Sequence, residues 1–362
     1  MQREKHTIKV LGFDIGGANT KAAFVNAKNS RVVKTVVATE YFPMWKQPEK
    51  LHLVLRRLTR KTAKAGRVDF VTATMTAELA DSYKTKTEGV NNILDQLERT
   101  FPHNKVLIVD VEGRLRTTAK ARAEPLRVAA ANWAATGWLA AQLKPDCVVV
   151  DVGSTTTSII PVRSGKVSAE GKTDLEKLIL GELVYTGSLR TNVATIVNRI
   201  PTRNGVARVS AEVFAQSADV HLILDNISQS DYTVETPDGK EKTREASLAR
   251  LARVVCADTN MLNEKELVGV AEHVYGAQVT QIAEALNQVV NRLKMEKKEL
   301  TIVVTGLGRN FLARKAAQQA GFGRVTDFGE LVGGDVAKVS TAFAAALMGA
   351  SYLQGGFLPW TQ

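Results

Sequence analysis

Residues 12–21 read GFDIGGANTK, so a short apolar run ends at an aspartate and a glycine pair leads into a second apolar run. Glycine lets backbone N–H groups approach an anion closely, so a Gly-rich turn after a buried strand can bind phosphate. Because residues 20–25 read as a strand, the turn is predicted to be a hairpin. The Walker and dinucleotide loops instead open a helix. Asp14, at the strand end, is predicted to hold Mg²⁺ through water.

A second copy of this turn occurs at residues 148–157, which read VVVDVGSTTT and precede an alternating strand at residues 158–162. One such turn alone is a weak indication, since ordinary β-turns share its composition. Its recurrence indicates an internal repeat. Two facing turns, each with one aspartate, predict that a diphosphate and Mg²⁺ bind between them. The aligned pairs are Asp14 with Asp151, Gly16 with Gly153, and Thr20 with Thr157.

The order of predicted elements gives the fold class. Three strands open the chain and are followed by alternating helices and strands, and the second turn starts a similar series. An Ala-rich helix is predicted at residues 125–143, and a last one at residues 337–350. The pattern predicts an α/β, two-lobed fold of the actin-like ATPase, sugar kinase and heat-shock chaperone type, which is a duplicated ribonuclease H-like fold with a helical insertion in the second lobe.

The expected domain limits follow from that order. Residues 1–144 form the first lobe, and residues 145–350 form the second lobe, with the helical insertion at about residues 211–290. Residues 351–362 form a C-terminal tail. A polar loop at residues 229–243 lies inside the insertion.

Composition is that of a globular enzyme, with 44% hydrophobic and 23% charged residues in a chain of 362. This length can bury two cores. No apolar run approaches the roughly 20 residues that span a bilayer. Cys147 and Cys256 lie in apolar runs and are predicted to be buried free thiols. We therefore expect an untargeted cytoplasmic protein.

A net charge of +11 raises the hypothesis of nucleic-acid binding. Many basic residues share a predicted helix at residues 48–65, whose apolar residues recur at helical spacing. Without interleaved aromatic residues, a solvated basic face is favoured, and it would steer small anionic substrates. We expect neither nucleic acid nor membrane as a partner, and a homo-oligomer stays open. The basic cluster is Arg56, Arg57, Arg60, Lys61, Lys64 and Arg67.

Two further segments carry candidate site residues. Residues 74–90 are unusually polar for the exit of a buried strand, and loops at strand ends often carry function. Glu78 or Glu88 could be a general base there, and Lys84 or Lys86 could contact an anion. The alternative is a solvated loop with a helix cap.

Residues 305–308 (TGLG) follow a strand, where this fold type contacts adenosine or its equivalent. A plain strand-to-helix turn fits them equally well.

Residues 12–21, 74–81 and 86–90, in this order, resemble the hydantoinase A and oxoprolinase family. Within it, residues 129–134 (AAANWA) and 181–187 (GELVYTG) resemble the short branch linked to tetrahydromethanopterin-dependent one-carbon transfer. This resemblance implies methanofuran-type biosynthesis. The enzyme would join an aminomethylfuran methyl diphosphate to the phenol oxygen of a γ-glutamyl-tyramine or tyrosine-type acceptor and release pyrophosphate.

Residues and resemblance together give a set of candidate site residues. The catalytic candidates are Asp14, Asp151, Glu78, Glu88 and Lys86, with Asp14 and Asp151 also as Mg²⁺ ligands. The diphosphate-binding candidates are Gly16, Gly17, Asn19, Thr20, Lys21, Gly153, Ser154 and Thr155. The substrate-binding candidates are Thr76, Lys84, Asn132, Thr186, Gly187, Gly306 and Gly308.

Mg²⁺ is the expected cofactor, and ATP is expected to be dispensable. Two alternatives stay open. An ATP-dependent kinase or oxoprolinase-like hydrolase could use the same turns for nucleotide, although full oxoprolinases are much longer chains. A nucleotide-binding regulatory module without turnover is the other alternative.

Overall fold

A computed structural model describes residues 7–63 and 68–359, so Lys64 and Arg67 of the predicted basic cluster lie outside the described residues. The chain divides into two compact units. The first takes the described residues up to Cys147, then Ile160–Glu176, then the described residues from Phe328 onward. The second takes Val148–Ile159 and Lys177–Asp327. Each unit has its own core.

Two mixed sheets and a hairpin contain the strands. The first sheet has the order β3-β2-β1-β4-β5-β6, and the second has the order β10-β8-β7-β13-β14, with β9 paired to β8. The strands of the first sheet are β1 Thr7–Ile15, β2 Asn19–Lys28, β3 Arg31–Tyr41, β4 Phe70–Met75, β5 Lys105–Val109 and β6 Leu115–Thr117. The others are β7 Cys147–Val152, β8 Thr157–Arg163, β9 Lys166–Val167, β10 Leu183–Val184, the hairpin β11 Arg199–Thr202 and β12 Gly205–Arg208, β13 Thr301–Gly306 and β14 Val325–Asp327.

The helices vary from one turn to thirty residues. They are α1 Leu51–Ala63, α2 Lys86–Thr100, α3 Thr118–Ala123, α4 Asn132–Leu143, α5 Asp174–Leu180, α6 Val193–Ile196, α7 Ser217–Ile223, α8 Arg244–Arg253, α9 Glu264–Leu293, α10 Arg314–Gln319, α11 Phe328–Val332, α12 Gly334–Ala337 and α13 Ser340–Gln354. No helix in residues 7–63 or 68–359 is long and apolar enough to cross a membrane.

The first sheet is covered on both faces. Leu11 and Phe13 of β1 pack in one core with the apolar faces of α1 and α2. Successive strand residues point to opposite faces, so Gly12 faces the other way, toward α13. A Cβ on Gly12 would lie 2.2 Å from the carbonyl oxygen of Ala342, so glycine lets α13 approach the strand closely.

Two of the predicted helices need correction. The last helix, expected in the second lobe, packs on β1, β2 and β4 of the first unit because its small residues fit that sheet closely. The helix expected at residues 125–143 begins only at Asn132. Ala130 has φ +50°, a left-handed conformation that interrupts helical geometry.

The second unit contains the predicted helical insertion. Helices α6 to α9 enclose a separate apolar core, which includes Val193, Val220, Leu251 and Val270. Cys147 is buried as predicted, but Cys256 is exposed. The prediction for Cys256 was wrong because the chain turns there, with φ +56°, just after α8 ends.

Candidate functional site

The internal repeat of the sequence is present in the backbone. In the first hairpin, the Gly16 amide donates to the Asn19 carbonyl oxygen at 3.0 Å. In the second, the Gly153 amide donates to the Thr156 carbonyl oxygen at 2.9 Å. The two turns therefore share length and hydrogen bonding. The first hairpin lies in the first unit and the second hairpin lies in the second, and they are described in turn.

A buried carboxylate lies at the base of the first hairpin. Asp14 pairs with Lys21 across the two strands, and the Lys21 Nζ atom is 3.9 Å from Asp14 Oδ2. The Thr74 hydroxyl donates to Asp14 Oδ1 at 3.2 Å. Burial raises the pKa of Asp14, and Lys21 and Thr74 partly oppose that rise. Within the described chain, the buried Thr20 hydroxyl of the same hairpin has no hydrogen-bond partner.

Parallel pairing of β1 with β4 brings the polar segment after β4 next to this hairpin. The Thr76 amide donates to the Ile15 carbonyl oxygen at 2.9 Å. The Thr76 hydroxyl lies 3.6 Å from the position that a Cβ would take on Gly16. One end of these central strands therefore holds Asp14, Gly16, Lys21 and Thr76 close together, with Gly17 and Asn19 in the same turn.

Glu78 is a buried carboxylate of the first unit, with only 1% of its surface exposed. Its Oε1 atom is 3.9 Å from Lys86 Nζ, and Lys86 Nζ is 2.5 Å from Asp174 Oδ2. Among the described residues, Glu78 Oε2 has no hydrogen-bond partner. Burial raises the pKa of Glu78 to about 7, against smaller lowering effects that include its own backbone and Lys86. A carboxylate with this pKa can exchange protons near neutral pH.

Backbone strain occurs beside the same carboxylate. The Ala130 backbone lies near the Glu78 carboxyl and lowers its pKa, and Ala130 holds the left-handed conformation described above. That conformation costs roughly 1–2 kcal/mol for an L-residue. Strained backbone and perturbed carboxylates both concentrate at functional sites. The predicted substrate residue Asn132 starts α4 two residues later and is half-buried.

Glu88 and Lys84 belong to a helix cap. The Glu88 amide donates to the Thr85 hydroxyl at 3.2 Å, and Glu88 Oε2 accepts a bond from the Lys84 amide at 2.9 Å. Both residues are exposed. For this pair, the geometry favours the solvated loop with a helix cap over the base and anion-contact roles. Glu78 is the stronger candidate for a base.

The second hairpin is enclosed by a neighbouring loop. The Ser188 amide donates to the Gly153 carbonyl oxygen, and the Arg190 amide donates to that of Ser154, at 2.9 and 3.0 Å. The Thr157 hydroxyl donates to the Thr186 carbonyl oxygen at 2.8 Å. A Cβ on Gly187 would lie 2.6 Å from the Thr155 carbonyl carbon, so only glycine fits there.

A third loop contacts the same hairpin from β13. The Gly308 amide donates to the Val152 carbonyl oxygen at 3.0 Å. Gly306 has φ +84°, and a Cβ there would lie 2.5 Å from Asp151 Oδ1. The structure therefore brings Asp151 and the predicted glycines 153, 187, 306 and 308 together. Three buried hydroxyls in these loops have no partner among the described residues; they are Ser154, Ser188 and Thr305.

Sequence reasoning missed a buried network behind the Thr186 loop. Gln278 of α9 donates to the Thr186 hydroxyl and to the Gly187 carbonyl oxygen, at 2.8 Å each. Its Oε1 atom is 3.0 Å from His221 Nε2, which assigns that ring proton to Nε2. Burial lowers the pKa of His221 to about 3, so the ring is neutral. No spacing in the sequence signals this contact, because it joins residues 91 and 92 positions apart.

The donor set can be tested against Mg²⁺. Over the described residues, no cluster of three or more His, Cys, Asp or Glu side chains could form an all-protein metal cage. Mg²⁺ in phosphate sites is commonly held by one or two carboxylates together with water and substrate oxygens. Asp14 in the first unit and Asp151 in the second are each a single carboxylate of the kind that this second arrangement uses.

Sequence comparison finds close relatives. A family model for "Hydantoinase/oxoprolinase" matches residues 69–345. The chain is 39% identical over 340 residues to "(4-{4-[2-(gamma-L-glutamylamino)ethyl]phenoxymethyl}furan-2-yl)methanamine synthase" from Methanocaldococcus jannaschii, covering 94% of this chain and 97% of that protein. A protein of the same name from Methanococcus vannielii is 36% identical over 205 residues, covering 56% of this chain and 90% of the relative.

Structural comparison supports the fold. Nucleotide-free acetone carboxylase, from a study of ATP-dependent acetone carboxylation, superposes with a TM-score of 0.58 at 10% identity, covering 94% of this chain and 70% of that one. At that identity the likeness concerns the fold alone. It agrees with the predicted two-lobed α/β class.

Proposed function

The chain belongs to the hydantoinase/oxoprolinase family, and from that premise we propose that it is a transferase of methanofuran-type biosynthesis. The observation that carries the proposal is the 39% identity to the M. jannaschii synthase over nearly all of both chains. The name of that relative describes a product in which a phenoxy oxygen is bonded to a methylene group on a furan. The reaction proposed for this chain forms that aryl ether bond.

The bond changes define what the protein must do. The phenol oxygen bonds to the furfuryl carbon, the carbon–oxygen bond to the diphosphate breaks, and the phenol proton passes to a base. Negative charge accumulates on the departing diphosphate, so stabilising that group is the main electrostatic task. We assign this task to the backbone amides of the two hairpins and to Lys21, whose ammonium lies beside Asp14.

We assign Mg²⁺ to Asp14 and Asp151, where the bound ion would neutralise diphosphate charge. The donor is already activated as a diphosphate, so the proposed reaction needs no ATP. We place it in the cytoplasm, with small anionic molecules as substrates.

Glu78 is the proposed acceptor of the phenol proton. It is buried, one of its oxygens has no partner among the described residues, and burial raises its pKa to about 7. A base works best when its pKa lies near the operating pH. Lys86 would stabilise the ionised form, since its Nζ atom lies 3.9 Å from Glu78 Oε1.

The proposal is tested by product analysis. Purified protein with Mg²⁺ and the furfuryl diphosphate should convert a phenol acceptor to an ether of the expected mass. Parallel reactions with γ-glutamyl-tyramine and with tyrosine identify the acceptor class. If mass spectrometry finds no ether with either acceptor while the protein is folded, the proposed function is wrong.

A further inference from the structure

Asp174 is a charged neighbour of the Glu78 and Lys86 pair that sequence reasoning did not single out. It is the first residue of α5, and its Oδ2 atom is 2.5 Å from Lys86 Nζ. Lys86 Nζ is 3.9 Å from Glu78 Oε1, beyond hydrogen-bond distance. The ammonium therefore lies between two carboxylates and is bonded to the outer one.

We propose that Asp174 is a positioning residue that binds the Lys86 ammonium and so leaves Glu78 able to accept the phenol proton. This inference rests on the proposed function in one respect, the identity of the proton donor. The positioning itself concerns only Asp174, Lys86 and Glu78, and it can be measured without substrate.

The physical reason is competition for one ammonium group. An ammonium in direct contact with a buried carboxylate stabilises the ionised form and occupies a lone pair, which makes that carboxylate a poor base. The Lys86 and Asp174 side chains are 21% and 28% exposed, whereas the Glu78 side chain is 1% exposed. The outer pair is more exposed to solvent than Glu78, so it forms at a lower desolvation cost than a direct Lys86–Glu78 contact would.

The groups around Glu78 shift its pKa in opposite directions. Lys86, at the start of α2, lowers its pKa, and Asp174, at the start of α5, raises it. The Ala130 backbone before α4 also lowers the pKa of Glu78. Gly89 of α2 packs closely against the Glu78 backbone, since a Cβ there would lie 2.1 Å from the Glu78 carbonyl oxygen. Glycine has no side chain, so this contact brings no charge.

Two substitutions should therefore shift the pKa of Glu78 in opposite directions. Asp174→Asn removes a negative charge and releases Lys86 toward Glu78, so the Glu78 pKa should fall by about one unit. Lys86→Met removes the nearby positive charge, so the Glu78 pKa should rise above its present value. If Asp174 and Lys86 only supported the fold, their substitutions would not shift the Glu78 pKa in opposite directions.

The experiment is a carboxyl titration by NMR on the full chain labelled with ¹³C at glutamate side chains, with Glu78→Gln to assign the signal. Asp335→Asn is the charge-matched control, because Asp335 is 84% exposed and pairs with Lys338. Asp174→Glu should restore the wild-type titration. The proposal is overturned if Asp174→Asn leaves the Glu78 pKa unchanged, or if Asp174→Asn and Lys86→Met shift it in the same direction.

The pH profile of ether formation provides the second measurement. The rising limb, which reports ionisation of the base, should move to lower pH in Asp174→Asn and to higher pH in Lys86→Met. NMR shifts of the expected signs without any movement of the rate profile would uphold the positioning by Asp174 and reject Glu78 as the base. The two failures are therefore distinguishable.

Discussion

The two hairpins have the same turn and different surroundings. In the first, Asp14 is 7% exposed and has an ammonium partner in Lys21. In the second, Asp151 is half-buried, and the turn is enclosed by backbone and glycine contacts from the loops at Gly187 and Gly306. The same contrast extends beyond the turns. After β4, the first unit supplies the buried Glu78 carboxylate, whereas the loops at Gly187 and Gly306 in the second unit supply backbone amides and the buried hydroxyls of Ser188 and Thr305.

This contrast indicates that two copies of one sequence motif can take different roles after duplication. A buried carboxylate beside a partly exposed ammonium can respond to charge changes, whereas a turn held by backbone contacts offers a preorganised set of amide donors. We infer that the first hairpin acts mainly through charge and the second mainly through preorganised backbone. Substitutions at equivalent positions should therefore have unequal effects.

The largest expected effect concerns the aspartates. Asp14→Asn and Asp151→Asn should each lower kcat about 10²–10³-fold, since each removes a charge from the site. Asp14→Asn should also leave thermal stability at neutral pH unchanged or higher, because burial opposes the Asp14 charge. Activity assays across a Mg²⁺ titration, with thermal unfolding as the fold control, test both statements. Wild-type turnover in either variant would contradict the two-hairpin site.

Equivalent glycines give the next largest difference. A Cβ on Gly16 would lie 2.8 Å from the Asn19 carbonyl oxygen, whereas a Cβ on Gly153 would lie 3.5 Å from that of Thr156. Gly16→Ala should therefore displace its turn and lower kcat about tenfold or more, whereas Gly153→Ala should stay within about twofold. Gly269→Ala in α9, where nothing lies within 4 Å, is the control and should leave kcat unchanged. Equal losses at Gly16 and Gly153 would remove the contrast between the turns.

The buried Glu78 carboxylate should make stability depend on pH. Its pKa is about 7 in the folded protein and ordinarily 4.5, so the folded state binds more protons between these values. Ionisation therefore costs stability as pH rises from 4.5 to 7, and the cost is complete above 7. Glu78→Gln should stabilise the protein by up to about 3 kcal/mol at pH 8 and have almost no effect at pH 4.

Urea unfolding of wild type and Glu78→Gln at the two pH values measures this difference. A stability change that is the same at pH 4 and pH 8 would show that Glu78 does not titrate as described. No comparable effect is expected from Glu88→Gln, since Glu88 is exposed at a helix cap.

The smallest effect is expected on the basic helix. Arg57 and Lys61 both pair with Glu40 of β3, which reduces the local field of the cluster. Neutralising Arg56, Arg57 and Lys61 together should leave kcat within about twofold and change only solubility or substrate on-rate. Salt-sensitive duplex binding at micromolar strength, lost in that triple variant, would show that nucleic acid is a partner after all.

Local patterns allowed much of this structure to be predicted. Both hairpins could be predicted because glycine and aspartate at a strand end specify a turn within a few residues. Contacts between residues far apart in the sequence could not be predicted. Nothing in the sequence places Asp174 beside Lys86, 88 positions away, and nothing places α13 on the first sheet. The left-handed Ala130 was also hidden, because an alanine run favours a continuous helix.

In the proposed reaction, the hairpins bind a diphosphate leaving group rather than a nucleotide that is split. The direct measurement is product stoichiometry with purified protein, Mg²⁺, the furfuryl diphosphate and γ-glutamyl-tyramine, with no ATP present. We expect pyrophosphate and the aryl ether in equal amounts, and no change when ATP is added. Ether that forms only with ATP, accompanied by ADP, would contradict the proposed function and establish an ATP-dependent reaction instead.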